Sequence, residues 1–226
     1  ILRRKSMDIS EAMKARHSVR SYSDRPIPED IVRILKQEAE NCNLKSGLRI
    51  QVITDEASAF EGFMAHYGNF RGVKNYIALV GKKSEEEKAG YFGEHLVLKA
   101  QALGLNTCWV AMTFKKSACK RNCRIEKGEK LLCVLALGYG AAQGVPHKNR
   151  AAEEIAPALS SAPDWFRNGT EAALLAPTAL NSQEFRLETE GNKVRVSAWG
   201  PYAKINLGIV KYHFEAGAGK DNFQWA

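Results

Sequence analysis

Apolar positions recur along this chain at two spacings, near 3.6 and near 2, and the alternation of the two predicts a mixed α+β protein. Asp8 and Glu11 have the spacing of a capping box, ahead of a short first helix in which Ile9, Ala12, Met13 and Arg16 share one face. Pro28 is placed as a first-turn proline, opening a second helix to about residue 41 with Ile31, Ile34, Leu35 and Ala39 as its buried stripe. Residues 48–54 alternate as a strand. The pattern then gives a helix near 57–65, a strand at 75–80, a long helix over 85–103, and strands at 107–112 and 131–137. Residues 95–103 are apolar nearly all round, which marks a core-spanning helix. Beyond Pro163 come a helix over 165–175, a hairpin over 185–197 that turns at Gly191-Asn192, and a last helix over 202–216.

The second series of elements follows the order of the first. Faint self-similarity agrees: Glu38-Ala39 leads through a polar loop to a strand, as Glu171-Ala172 does, and Ala102-Leu103-Gly104 is echoed by Glu215-Ala216-Gly217. A degenerate duplication is expected, with one half over 7–160 and the other over 161–219.

Composition narrows the class. Of 226 residues, 45% are hydrophobic and 26% charged, enough apolar material for a sizeable core. The longest apolar run, 131–137, is far short of a bilayer span, and the basic opening at 1–5 has no apolar stretch after it to make a signal peptide. No membrane association and a cytoplasmic location are therefore expected. The five cysteines are scattered and odd in number, so no disulfide framework is implied. Cys119 and Cys123 are four apart but have no second pair at ligand spacing, the histidines have none either, and no metal is expected. His95 and His213 fall in apolar helices, where a hydrogen-bonded core histidine is the expected occupant. The net charge of +8 raises a nucleic-acid reading. Its basic residues are scattered, apart from a dense run at 115–130, and carry no aromatic-interleaved platform or recognition helix, so nucleic acid is the minor reading.

Two segments concentrate chemistry. Arg16-His17-Ser18-Val19-Arg20 ends the first helix with two guanidiniums and two neutral donors, a compact set for holding an anion. Far downstream, Ala176-Pro177-Thr178-Ala179-Leu180-Asn181-Ser182-Gln183-Glu184-Phe185 forms a loop of small polar residues between a helix and a strand. The glycines of Gly138-Tyr139-Gly140-Ala141-Ala142-Gln143-Gly144 follow an apolar strand, but Val145-Pro146 comes next where a dinucleotide site needs a helix to open. No Gly-x-Ser-x-Gly elbow marks a serine hydrolase.

The first segment resembles the Arg-Arg/His-Ser-x-Arg/Lys motif of FMN-dependent nitroreductases, and the second resembles that family's Ala-Pro-Ser-x-x-Asn-x-Gln-Pro-Trp loop. The late position of the second resembles the fused subgroup, in which one chain carries two half-domains and imitates a dimer. The resemblance implies a nitroreductase-like α+β fold and one flavin site per chain, for which a monomer suffices. It also implies that Arg16 and Ser18 hold the FMN phosphate, that His17 lies near the ribityl chain and that Arg20 lies at the isoalloxazine N1 and O2. Lys148 and Arg150 match late basic residues that reach back to the phosphate, although Gly140 stands where the family usually has proline. The backbone of Trp109, Val110 and Ala111 matches the strand end facing flavin N5 and O4, and Pro177, Thr178, Asn181 and Gln183 match the polar loop. The implied reaction is ping-pong: NADH or NADPH reduces FMN, which then reduces a nitroaromatic, a quinone or a related small-molecule acceptor. No side-chain acid or base is called for. The rival of another class is a protein that binds flavin, or another phosphorylated ligand, without turnover.

Overall fold

The computed structural model describes residues 7–226; the basic opening at 1–6 lies outside the described residues. Four strands, β1 (Arg49–Ile53), β2 (Asn75–Gly81), β3 (Asn106–Val110) and β4 (Lys130–Gly138), form an antiparallel sheet in the order β1-β2-β4-β3. Every residue of β2 is buried, so the sheet is covered on both faces. Alternation then sorts its side chains. Ile77, Leu79, Cys133, Leu135 and Leu137 join the larger hydrophobic cluster, while Tyr76, Ala78, Val134 and Ala136 join a second one built on Phe60, Phe70 and Phe114.

The larger cluster also takes in the helices α2 (Glu29–Ser46), α4 (Glu86–Ala102), α7 (Asp164–Leu174) and α8 (Ala203–Ala218), together with the hairpin of β5 (Phe185–Glu190) and β6 (Lys193–Ala198). Strand β7 (Gln224–Trp225) lies parallel to β6 and completes a second sheet. The order helix, strand, strand, helix occurs as α7-β5-β6-α8, and as α2-β1-β2-α4 with the short α3 (Phe63–Tyr67) inserted between the two strands. Helices α4 and α8 cross at reciprocal glycines: a Cβ at Gly90 would lie 2.1 Å from the Ile205 carbonyl oxygen, and one at Gly208 would lie 2.0 Å from that of Glu87. Only hydrogen fits at either position. No helix of the described residues is long and apolar enough to cross a membrane.

Helix α1 (Ile9–Ala15) carries the expected capping box, with Asp8 accepting from the Glu11 amide at 2.8 Å and Glu11 accepting from the Asp8 amide at 3.0 Å. The structure corrects four other expectations. Pro28 is the N-cap of α2 and not its first helical residue, and α2 runs on to Ser46. Ile34 is 39% exposed, because the buried stripe continues through Leu35, Ala39, Cys42 and Ser46. The helix expected over 57–65 is a 3-10 turn, Ser58–Phe60, followed by the short α3 (Phe63–Tyr67); Gly62 separates them at φ 107, outside the helical region. Strand β3 stops at Val110, and Met112 beyond it is 60% exposed. Two short helices, α5 (Lys116–Asn122) and α6 (Ala152–Ile155), complete the chain.

Candidate functional site

Helix α1 ends at Arg16, whose backbone is extended at φ −73, ψ 121. From there the basic segment crosses the end of the main sheet as an open strand. Ser18 bridges Thr107, the Val19 amide donates to the Thr107 carbonyl at 3.0 Å, and Tyr22 bridges Gly140. This path alternates the side chains. Ser18 and Arg20 are exposed, Val19 is buried, and His17 is half-buried. Arg16 turns inward and is only 3% exposed. The Arg20 guanidinium stands 6.0 Å from the centroid of the Phe70 ring.

The inward guanidinium meets a buried polar cluster. Glu94 on α4, fully buried, accepts from Trp109 Nε1 at 2.8 Å through Oε2 and pairs with His213 Nε2 at 2.9 Å through Oε1. His213 Nδ1 lies 3.1 Å from the Ala172 carbonyl. Arg16 Nε is 4.0 Å from Glu94 Oε1, at the limit of an ion pair, and it is a buried donor with no hydrogen-bond partner. A buried donor left without a hydrogen bond is costly.

The loop from Gly138 to Arg150 carries the chain from the first segment to the second. Asn106 holds its start, accepting from the Gly140 amide at 2.9 Å and donating to Gln143 at 3.0 Å. At Gly144 the loop passes so close to the first segment that a Cβ would lie 3.0 Å from His17 Cβ. His147 Nε2 then reaches the Leu174 carbonyl at 2.9 Å. Gln183, 1% exposed, clamps the far side: it donates to Leu174 O at 2.9 Å and Asn149 Oδ1 at 3.1 Å, and accepts from the Arg150 amide at 2.7 Å. The Gln183 amide donates to Thr178 Oγ1 at 3.0 Å, and Asn181 Nδ2 donates to the Lys148 carbonyl at 3.1 Å. The loop thus touches both segments, which lie more than 150 residues apart in sequence.

The second segment is strained. Leu180, Asn181 and Gln183 all have φ between 50 and 53, a region that costs a non-glycine residue roughly 1–2 kcal/mol. The Gln183 hydrogen bonds hold this shape. Asn181 Oδ1 is left buried and without a partner.

The sequence-derived residues thus sort by position. His17 and Ser18 lie against the loop at Gly144, Lys148, Arg150, Thr178, Asn181 and Gln183 meet at its far end with Pro177 buried, and Arg16 turns inward to Glu94. Arg150 Nε pairs at 3.4 Å with Glu154, while Lys148 makes no ion pair among the described residues. Trp109, Val110 and Ala111 form the end of β3; Ala111 lies beyond the last ladder pair, Val110↔Val134, and the Trp109 indole is committed to Glu94. Gln183 and Thr178 spend their side-chain groups on the loop itself. Burial, followed by the charges of Arg16 and His147, holds the His17 imidazole below its ordinary 6.5. The local field is positive. A dianionic phosphate monoester fits the donors and cations of this set: Arg16, whose Nε lacks a hydrogen bond, exposed Ser18 and Arg20, and Lys148 on the loop. Cavities of about 540 and 520 Å³ lie elsewhere, along α2 and between α2, α4 and α8.

The hub that sequence reasoning missed is Glu94. Its signal was a lone carboxylate on a helical face otherwise made of Ala89, Gly90, Gly93 and Val97. His213 is the expected hydrogen-bonded core histidine. His95 is not: its side chain is 32% exposed and contacts Glu38 and Tyr212.

A family described as "Putative TM nitroreductase" matches residues 8–218. Among solved structures, a protein of Thermotoga maritima described as a putative nitroreductase superposes with a TM-score of 0.73 at 23% identity, over 98% of this chain and 88% of that one. A putative nitroreductase of Desulfovibrio desulfuricans in complex with FMN aligns at a TM-score of 0.51 and 18% identity, over 65% of this chain and 94% of that one. A nitroreductase family protein of Streptococcus pneumoniae gives 0.52 at 15% identity, over 66% and 98%. No curated protein sequence matches. The two shorter relatives are thus nearly wholly covered by about two thirds of this chain.

Proposed function

Because the chain belongs to the nitroreductase family that matches it over residues 8–218, we propose that it is an FMN-dependent oxidoreductase using NADH or NADPH to reduce a small aromatic acceptor such as a nitroaromatic or quinone. FMN, when bound, supplies the two-electron chemistry, taking hydride from the nicotinamide and passing electrons on. The observations that carry the reading are two buried, partnerless groups, Arg16 Nε and Asn181 Oδ1, one in each segment, and the loop over 138–150 that touches both segments. A structural relative bound to FMN supports the choice of phosphorylated group.

The chain's own residues divide the work. Arg16 and Ser18 hold the phosphate, with Lys148 closing from the loop and Glu94 keeping the guanidinium aimed. Asn181 accepts from the ribityl hydroxyls, and Gln183 and Thr178 position Asn181. Arg20 supplies a cation to the electron-rich edge of the ring system. Backbone amides at Ala111 and beyond, outside the β3 ladder, serve as donors toward the ring. We read the repeated helix-strand-strand-helix order as two fused halves that give one site per chain.

The test is direct. The purified protein, supplied with FMN and freed of excess, should be yellow and bleach anaerobically with NADH or NADPH, then recover colour on adding a quinone or nitroaromatic. A yellow protein that neither nicotinamide bleaches overturns the enzyme assignment, and one that retains no flavin overturns the site.

A further inference from the structure

The cavity between α2, α4 and α8 is lined by Glu38, Cys42, His95 and Tyr212. Glu38 and Cys42 stand one helical turn apart on α2, and His95 faces them from α4, so that one ligating atom of each lies within 4.8 Å of the others. The surroundings orient these groups. His95 Nε2 lies 2.6 Å from Glu38 Oε1, while its Nδ1 is engaged by Tyr212 Oη at 2.9 Å. Asn41 Nδ2 steadies the other Glu38 oxygen at 3.3 Å. A metal-bound histidine is fixed in this way, by a partner on its second ring nitrogen. The Cys42 side chain is 3% exposed, and its sulfur makes no hydrogen bond among the described residues, yet the residue lines the cavity.

We propose that Glu38, Cys42 and His95 form a three-ligand site for a zinc-type divalent cation, with a fourth position open to the cavity. One sulfur, one imidazole and one carboxylate select zinc over magnesium or calcium, which take oxygen ligands. Bonds of about 2.0–2.3 Å around a tetrahedral ion set ligand atoms about 3.3–3.8 Å apart. The 2.6 Å contact must therefore open, and the other separations, all within 4.8 Å, must close, each by about 1 Å at most, within reach of side-chain rotation. Binding expels the thiol proton to solvent. Lys45 also lines the cavity, whereas Lys220 there is paired with Glu215 at 2.7 Å, and water suits the fourth position.

Cobalt(II) titration of the chelator-washed full chain, with or without flavin, tests this by difference absorbance, on a Cys119→Ser/Cys123→Ser background that removes the other thiol pair. One equivalent should give a sulfur-to-cobalt charge-transfer band with intense tetrahedral d–d bands, and zinc should displace it. Tyr212→Phe should weaken zinc binding about 10–100-fold, and His95→Ala or Cys42→Ser more than that. Since those variants bear on a packed face, zinc protection of Cys42 from iodoacetamide in the unmodified site provides a second readout. Cobalt binding without the sulfur band, zinc affinity unchanged in His95→Ala, or Cys42 alkylation unaffected by zinc would each show that Glu38 and His95 form only an ion pair. None of these readouts depends on the flavin assignment.

Discussion

Replacing Gln183 with Ala tests whether the strained loop is part of the flavin site or merely near it. The side chain makes three hydrogen bonds, at 2.7, 2.9 and 3.1 Å, in a position that is 1% exposed. At about 0.5–1.5 kcal/mol each, their loss costs about 2–4 kcal/mol. Part of that is recovered, because Leu174 O keeps His147 and the exposed Arg150 amide can turn to water. The φ of 50 at position 183 remains, so no strain is relieved by the substitution itself. Differential scanning fluorimetry should show a melting temperature lower by about 5–10 °C. In parallel, FMN fluorescence quenching should show affinity reduced about 10–100-fold, since Asn181 and Lys148 lose their fixed positions. The near-isosteric Gln183→Glu should be worse on both counts, because a carboxylate cannot donate to Leu174 O or Asn149 Oδ1 and brings a negative charge toward the phosphate. A fall in melting temperature with unchanged FMN affinity would refute the loop's place in the site.

Three further outcomes follow from the same geometry. Glu94→Ala leaves Arg16 and His213 buried without their carboxylate and should destabilise the chain by about 3–5 kcal/mol in urea unfolding. Gly90→Ala places a methyl group 2.1 Å from the Ile205 carbonyl and should force α4 and α8 apart at a cost of about 1–3 kcal/mol, read as a lower melting temperature. The fold favours neutral His17, so near its ordinary value of 6.5 the unfolded chain binds more protons, and the stability contributed there is intact above that pH and declines below it. A bound phosphate reverses the preference, so FMN affinity should rise as pH falls from about 8 to about 6, and His17→Gln should flatten that slope.

The elements were legible in the sequence wherever local signals and packing agree. The Asp8 and Glu11 box, the Gly191-Asn192 turn and the apolar run within β2 each follow from spacing alone. Where they diverge, a local event decides. Gly62 interrupts a pattern that reads as one helix, and the direction of α2's packing leaves Ile34 outside while Cys42 goes in. The basic segment at 16–20 and the polar loop at 176–185 were legible as composition, but not as geometry. Nothing in the local pattern says that Arg16 points inward to Glu94 or that Gln183 clamps Asn149 and Arg150, because both depend on contacts more than 30 residues away. The Glu38, Cys42 and His95 cluster was hidden for the same reason, one of its members lying on another helix.

The central claim is that the basic segment and the distant loop close on one phosphate within a single chain. Comparing FMN with riboflavin, which lacks only that phosphate, isolates it. Equilibrium titration should give one FMN per chain and a preference over riboflavin of about 100-fold, worth about 2.7 kcal/mol, which Arg16→Met reduces to about threefold or less. Equal affinity for the two flavins, or a preference untouched by Arg16→Met, would contradict the account.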